Sequence, residues 1–143
     1  MFTPSRDDAR RLFFEVWRKF GAGEPLGGLE RTVIEVLSQH PEYRSILDDP
    51  DRFLQLDYLP ENGATNPFLH LSLHLAVEEQ LAIDQPAGIR AAFSALAARL
   101  GSEHDAKHVL LECLGETIWR AQRDRQRLDE RLYLDCLTRK TPG

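Results

Sequence analysis

Histidines spaced four residues apart are the feature of this sequence that could do chemistry. Four of the five histidines fall in two short segments, His70 with His74 and His104 with His108. Residues four apart on an α-helix lie on the same face. Two neutral imidazoles directed at one point are the donors that helical metal sites use. The spacing is therefore typical of a helical metal site, and core histidines that bond to other side chains are the alternative.

The first pair lies in the segment NPFLHLSLHLAVEEQLAID, which predicts a helix from Pro67 to about Ile83. Ser72 and Glu79 lie opposite the two histidines and define a solvent face, so we expect both imidazoles to point towards the core. A buried imidazole without a partner costs about 1–3 kcal/mol. The partners that we expect are side chains of other helices, water or a metal ion.

A second row of candidate ligands runs along the next long helix. The row consists of residues four apart that follow the capping residue Ser102: His104, His108, Glu112 and Glu116. It lies opposite an apolar face, where a surface helix places its charges. The helix is nevertheless apolar almost all round, which is typical of a buried helix with an internal polar site. Both interpretations stay open from the sequence.

Glu30, on an earlier helix, is a further candidate. It falls on the same side as Val33 and Leu37, with His40 at the end of that side. As a carboxylate at a helix start, Glu30 would meet the positive end of the helix dipole. The alternative role is a ligand that another helix contributes to a central site.

These rows favour one metal centre in the core of a helical bundle. Bundles build such centres from His and Glu side chains on facing helices. Mixed nitrogen and oxygen ligands suit iron, zinc, nickel or manganese. Such a centre supports metal-assisted hydrolysis or redox chemistry. The predicted ligands are His70, His74, His108, Glu112, Glu116 and Glu30.

The elements that would position these side chains are all helical. Helix breakers cluster near residues 21–28, 60–67, 86–88 and 101, and the segments between them have helical periodicity. No alternating run of β-branched residues predicts a strand. We predict an all-α, single-domain helical bundle of about five to six helices over residues 1–143. Their predicted bounds are about 6–21, 29–39, 67–83, 89–100, 103–125 and 129–139, with a short helical piece near 43–47.

The composition limits the class of protein. The chain has 143 residues, of which 42% are hydrophobic and 29% charged, as in an ordinary globular domain. We expect a cytoplasmic protein, because neither an export signal nor an apolar run of about 20 residues is present. The net charge of −5 argues against a general nucleic-acid binder. In that compartment Cys113 and Cys136 are expected to be two reduced thiols.

A competing hypothesis is a non-catalytic interaction module. In that case the His and Glu rows pair with one another and with arginines as a buried polar network that fixes the helix register. Apolar residues exposed between residues 42 and 65 or on the last helix would then bind a second copy of the chain or another protein. Metal would leave the stability of such a module unchanged.

Four segments of the chain carry a resemblance to a known family. They are MFTPSRDDARRLFFEVWRKF, HPEY, TNPFLHLSLHLAVEEQLAIDQPAGIR and HVLLECLGETIWRAQR. With them the chain resembles the family described as domain of unknown function 1841 over nearly its whole length. The resemblance implies a small cytoplasmic bacterial protein without an assigned activity. It also implies that the family motif includes His70, His74, His108, Glu112 and Glu116, whereas position 78 is often not acidic.

Overall fold

The computed structural model describes residues 6–56 and 66–140, and this part of the chain is helical, without strands. A 3₁₀ turn at Pro41–Tyr43 joins the second helix to the third. The α-helices, in chain order, are α1 (Arg6–Gly21), α2 (Gly28–Ser38), α3 (Arg44–Leu47), α4 (Pro50–Phe53), α5 (Pro67–Ile83), α6 (Ile89–Leu100), α7 (Glu103–Arg123) and α8 (Glu130–Lys140).

The all-α prediction is confirmed, and the six longer helices match their predicted bounds within about two residues. The predicted number of helices is too low, because residues 6–56 and 66–140 contain eight α-helices rather than five to six. The difference arises between residues 41 and 53, where the 3₁₀ turn, α3 and α4 follow one another. Pro41 and Pro50 each begin a segment, since proline is tolerated in a first helical turn.

Contacts divide the chain into two compact units, residues 2–75 and residues 76–143, and α5 runs across the division. The single-domain prediction stays a prediction. In the first unit, the helix faces that carry apolar residues at three- and four-residue spacing form one core. Its most deeply buried members include Phe13, Val16, Val33, Val36 and Leu71.

Arg10 is the unusual member of that first core, because its side chain is only 1% exposed. Its Nη1 group donates hydrogen bonds to the carbonyl oxygens of Phe53 (3.1 Å), Leu54 (3.1 Å) and Leu56 (2.7 Å). Its guanidinium also lies over the Phe68 ring, 4.6 Å from the centroid. Arg10 therefore ties the end of α4 and the residues after it to α1, since the last carbonyls of a helix have no acceptor role within the helix itself.

The second unit is built on contacts among α6, α7 and α8. Its core includes Ile89, Leu110, Leu114 and Leu137. The completely buried Tyr133 on α8 donates a 2.8 Å hydrogen bond from its hydroxyl to Oε1 of Gln80 on α5. Burial raises the pKa of the Tyr133 hydroxyl far above its usual range, so this group stays a donor at any physiological pH.

Cys113 on α7 and Cys136 on α8 form a disulfide, with their Cα atoms 5.7 Å apart. The expectation of two reduced thiols is therefore wrong for this structure. The sequence separation of 23 residues hides the proximity, which arises because α7 and α8 pack against each other. That packing brings the two Cα atoms into the distance range that a disulfide requires.

The turn between α5 and α6 is held by two side chains that bond across it. Asp84 has a φ of 53°, and its carboxylate accepts from the backbone N–H groups of Arg90 (3.0 Å) and Gly88 (3.4 Å). Arg90 in turn donates from Nε to the Leu81 carbonyl (2.6 Å) and from Nη2 to the Ala82 carbonyl. Asp84 thus caps the start of α6 while Arg90 caps the end of α5.

We expect Asp84→Ala to lower the Tm of the protein by roughly a few degrees at pH 7, because two backbone donors lose their acceptor. Hydrogen bonding to the Arg90 N–H lowers the pKa of Asp84. A lowered pKa in the folded state contributes stability above the unfolded-state pKa, and this contribution is lost as the pH falls through the folded pKa. The Tm difference between wild type and variant should therefore shrink below about pH 4.

Thermal unfolding followed by circular dichroism between pH 2 and 8 checks this result. Asp135→Asn is the matched control, because Asp135 is an exposed carboxylate on α8. An Asp84→Ala difference that is as large at pH 2.5 as at pH 7 would contradict the capping role.

In residues 6–56 and 66–140, no helix combines the length and the apolar character that a membrane crossing needs. The cytoplasmic location stays a prediction.

Candidate metal centre

Three histidines of the first unit lie against one another. The Nε2 atoms of His40 and His70 are 3.0 Å apart, and the ring centroids of these residues are 4.8 Å apart at an interplanar angle of 77°. The His74 ring stands edge-on to His40 at 5.2 Å and 82°. His40 and His74 are buried, at 3% and 0% exposure, whereas His70 is half-buried. The cluster therefore has a buried side and a side that reaches the surface.

Two helices bring these residues together. His40 lies two residues after the end of α2 and directly before the 3₁₀ turn, so its ring continues the buried side of Val33, Val36 and Leu37. His70 and His74 lie one turn apart on α5, as the four-residue spacing predicts. Asn66 fixes the start of α5, because its Oδ1 accepts from the backbone N–H groups of Phe68 and Leu69.

A backbone contact fixes the orientation and tautomer of His40. Its Nδ1 lies 2.7 Å from the Val36 carbonyl oxygen, and a carbonyl can only accept, so Nδ1 carries the proton. With the ring neutral, the lone pair is on Nε2, which faces Nε2 of His70. The proton in that second contact therefore belongs to His70, and His40 accepts it.

Tyr43 covers one face of the His40 ring. The two rings are stacked, with centroids 5.5 Å apart and planes 2° from parallel. Tyr43 also meets His70 edge-on at 6.3 Å. Burial, followed by the charge of Glu42, raises the pKa of the Tyr43 hydroxyl, so it stays protonated at neutral pH. Tyr43 thus restricts His40 to the orientation in which Nε2 points at His70.

Glu30 has the helix-start role that the sequence offered as one of its two interpretations. Its Oε1 accepts from the backbone N–H of Gly27 at 3.1 Å, and its Oε2 pairs with Lys19 Nζ at 2.8 Å. The Lys19 hydrogen bond, followed by the Gly27 N–H, lowers the pKa of Glu30. Both carboxylate oxygens therefore have partners at the start of α2, and the metal-ligand role of Glu30 stays a prediction.

The predicted ligands on α7 belong to the second unit. His104 and Glu112 are exposed, and His108 and Glu116 are half-buried. Glu112 pairs with Lys140 at 3.1 Å and Glu116 with Arg120 at 3.0 Å. These ion pairs agree with the interpretation of a charged surface row, and the ligand roles of Glu112 and Glu116 stay predictions.

His108 makes the same kind of backbone contact as His40, to the carbonyl group four residues earlier in the chain. Its Nδ1 lies 2.9 Å from the His104 carbonyl oxygen, so that Nδ1 carries the proton and Nε2 carries the lone pair. The His104 and His108 rings lie 4.3 Å apart. This tautomer places the lone pair on Nε2, one of the two imidazole nitrogens that bind metal ions, and the predicted ligand role of His108 stays a prediction.

His40 is the member of the cluster that the sequence-based ligand set omitted. A signal was present, because His40 continues the three- and four-residue spacing of the apolar residues Val33, Val36 and Leu37. What the spacing does not show is that the chain after α2 turns at Pro41 and leaves the imidazole beside α5. His40 and His70 are among the described side chains whose ligand atoms lie close enough together to hold a metal ion.

Fold and cluster together define an all-helical protein in which the buried imidazole of His40 has a fixed tautomer and faces a second imidazole, that of His70. The chain belongs to the family described as domain of unknown function (DUF1841), whose profile matches residues 5–139. The resemblance in the sequence segments is thereby confirmed. No curated protein and no solved structure matches the chain.

Proposed function

We propose that this protein binds a transition-metal ion through Nε2 of His40 and Nε2 of His70. The observation that carries the proposal is the pair of contacts at His40, one to the Val36 carbonyl and one to His70. Metal-binding histidines typically donate their second N–H to a backbone carbonyl or carboxylate, which fixes the tautomer and the ring orientation. His40 has this arrangement in the structure.

The distance between the two Nε2 atoms supports the proposal. A tetrahedral ion with bonds of 2.0–2.1 Å holds two nitrogen ligands about 3.3 Å apart. The observed 3.0 Å is only a few tenths of an ångström shorter. An ion could therefore replace the proton between the imidazoles with a small movement of the half-buried His70 ring.

The donor atoms favour some ions over others. Imidazole nitrogen suits zinc, nickel, iron and copper, whereas manganese prefers carboxylate, carbonyl and water oxygen. Of the four ions expected from the sequence, we therefore place zinc, nickel and iron before manganese. His74, His108, Glu112 and Glu116 are the predicted sources of further ligands. The proposed function is metal binding, and we propose no reaction.

A second candidate function is the interaction module with a structural polar network. The His40–His70 hydrogen bond and the Tyr43 stacking favour it, since they give these rings partners without an ion. The two candidates differ in one measurable respect. Only a metal-binding protein gains stability from added ion, by about 2.7 kcal/mol at an ion concentration of 100 times Kd.

Metal content and metal titration test the proposal. Bound metal is first removed from the untagged protein with a chelator. The protein is then titrated calorimetrically with Zn²⁺, Ni²⁺, Fe²⁺ and Mn²⁺, and its Tm is measured with and without each ion. We expect one ion per chain, a rise in Tm with zinc or nickel, and an affinity at least about tenfold lower in His70→Ala. His104→Ala is the matched control, because this exposed histidine should leave the affinity unchanged.

The same titration ranks the predicted further ligands. His74→Ala, His108→Ala, Glu112→Gln and Glu116→Gln should each lower the affinity if the residue is a ligand. Wild-type protein that binds none of the four ions, with a Tm that is unchanged by any of them, would exclude the metal-binding function and leave the interaction module.

A further inference from the structure

The disulfide between Cys113 and Cys136 contributes no ligand to the proposed metal site. Cys113 is 0% and Cys136 is 2% exposed, so neither sulfur can be reached while α8 is docked. These are the only two cysteines of the chain, so each has a single intramolecular partner. The two cysteines therefore have two chemical states, a disulfide and a pair of thiols.

The packing of α8 depends strongly on this bond. Three of the eleven α8 residues are buried, namely Tyr133, Cys136 and Leu137, so Cys136 is itself one of three anchors. Five of the eleven are charged, and a helix of this length is marginal without tertiary contacts. Without the bond, α8 keeps its three buried side chains, the hydrogen bond from Tyr133 to Gln80 and the exposed ion pair of Lys140 with Glu112, but no covalent link to α7.

The surroundings of Cys136 can also accommodate the reduced state. Sγ of Cys136 lies 3.6 Å from Oε2 of Glu116, a distance at which a thiol can donate to a carboxylate. On the α7 side, the Thr117 hydroxyl donates to the Cys113 carbonyl at 2.7 Å, so the backbone beside Cys113 is satisfied in either state. Reduction therefore leaves no buried donor without an acceptor at Cys136.

We propose that the Cys113–Cys136 pair is an oxidation-dependent lock on α8. In the reduced state α8 docks and undocks readily, and in the oxidised state it is fixed to α7. Oxidised glutathione can act as the oxidant, because two protein thiols and one glutathione disulfide give one protein disulfide and two glutathione thiols. Two electrons and two protons pass from the cysteines to glutathione through a mixed disulfide.

Hydrogen exchange of the full chain, measured by mass spectrometry, tests this lock. We compare protein equilibrated with oxidised glutathione, protein in excess dithiothreitol, and the Cys113→Ser and Cys136→Ser variants. Amides of α8 should exchange about 10²-fold faster in the reduced protein and in both variants, because no cross-link then opposes the local opening of α8. Amides of α1 and α2 should exchange at the same rate in all samples.

The double variant Cys113→Ser/Cys136→Ser controls for effects of dithiothreitol itself, and its exchange should not respond to the reductant. Mass spectrometry after alkylation gives the fraction of bonded cysteine in each sample. If incubation with oxidised glutathione does not produce the Cys113–Cys136 disulfide, the proposal is overturned. Equal α8 exchange rates in the oxidised and reduced wild-type protein would overturn it as well.

Discussion

Replacing Arg10 with methionine is expected to lower the free energy of unfolding by about 2–4 kcal/mol. Methionine keeps the unbranched apolar stem of the arginine but removes the guanidinium. The carbonyl groups of Phe53, Leu54 and Leu56 would then lose the Nη1 donor that they share. The cation–π contact with Phe68 would be lost as well.

Urea unfolding followed by circular dichroism measures this change. Arg11→Met is a matched control, because Arg11 is the neighbouring residue on α1 and is exposed. Its substitution should change the free energy of unfolding by no more than about 0.5 kcal/mol. Equal effects of the two substitutions would show that Arg10 contributes only its apolar stem.

Replacing His40 with alanine is expected to give the largest loss of metal affinity, about 10²-fold or more. The change removes a ligand whose lone pair is already directed at the site, and the buried position leaves little room for water to take its place. His70→Ala should cost less, because a half-buried ligand is more easily replaced by water.

Zinc titration of the chelator-stripped variants measures both affinities under identical conditions. His104→Ala is again the control, and Tyr43→Ala separates positioning from ligation. Tyr43 stacks on His40 but has no side-chain nitrogen that could bind the ion, so its loss should weaken binding less than the loss of His40. A His40→Ala variant that binds zinc as tightly as wild type would contradict the assignment of Nε2 as a ligand.

Local patterns account for most of the fold that the sequence predicts. Asn66–Pro67 at the start of α5, Gly88 and Gly101 on either side of α6, and Ser102 before α7 mark helix ends through short-range backbone chemistry. The short helices between Pro41 and Phe53 were predicted only in part, because four-residue helices contain too few residues to show a helical period.

The site was predicted less completely than the fold, for a physical reason. Helical periodicity shows which way His70 and His74 point, but not which residue of a distant helix meets them. His40 meets His70 because the chain turns immediately after α2, and Cys113 meets Cys136 because α7 packs on α8. Both are tertiary contacts, which cannot be inferred from the periodicity of a single sequence. Periodicity likewise left Glu30 with two interpretations, and its contacts with Gly27 and Lys19 are those of the helix-start role.

The order of the helices within each unit has a kinetic consequence. The main contacts join helices that are neighbours or near neighbours along the chain, α1 with α2 in the first unit and α6 with α7 and α7 with α8 in the second. Contacts between nearby segments require little loop closure before they form. Helical proteins in which contacts between nearby segments dominate fold in microseconds to milliseconds. Each unit should therefore assemble rapidly, and its helices spend little time with their apolar faces open to other chains.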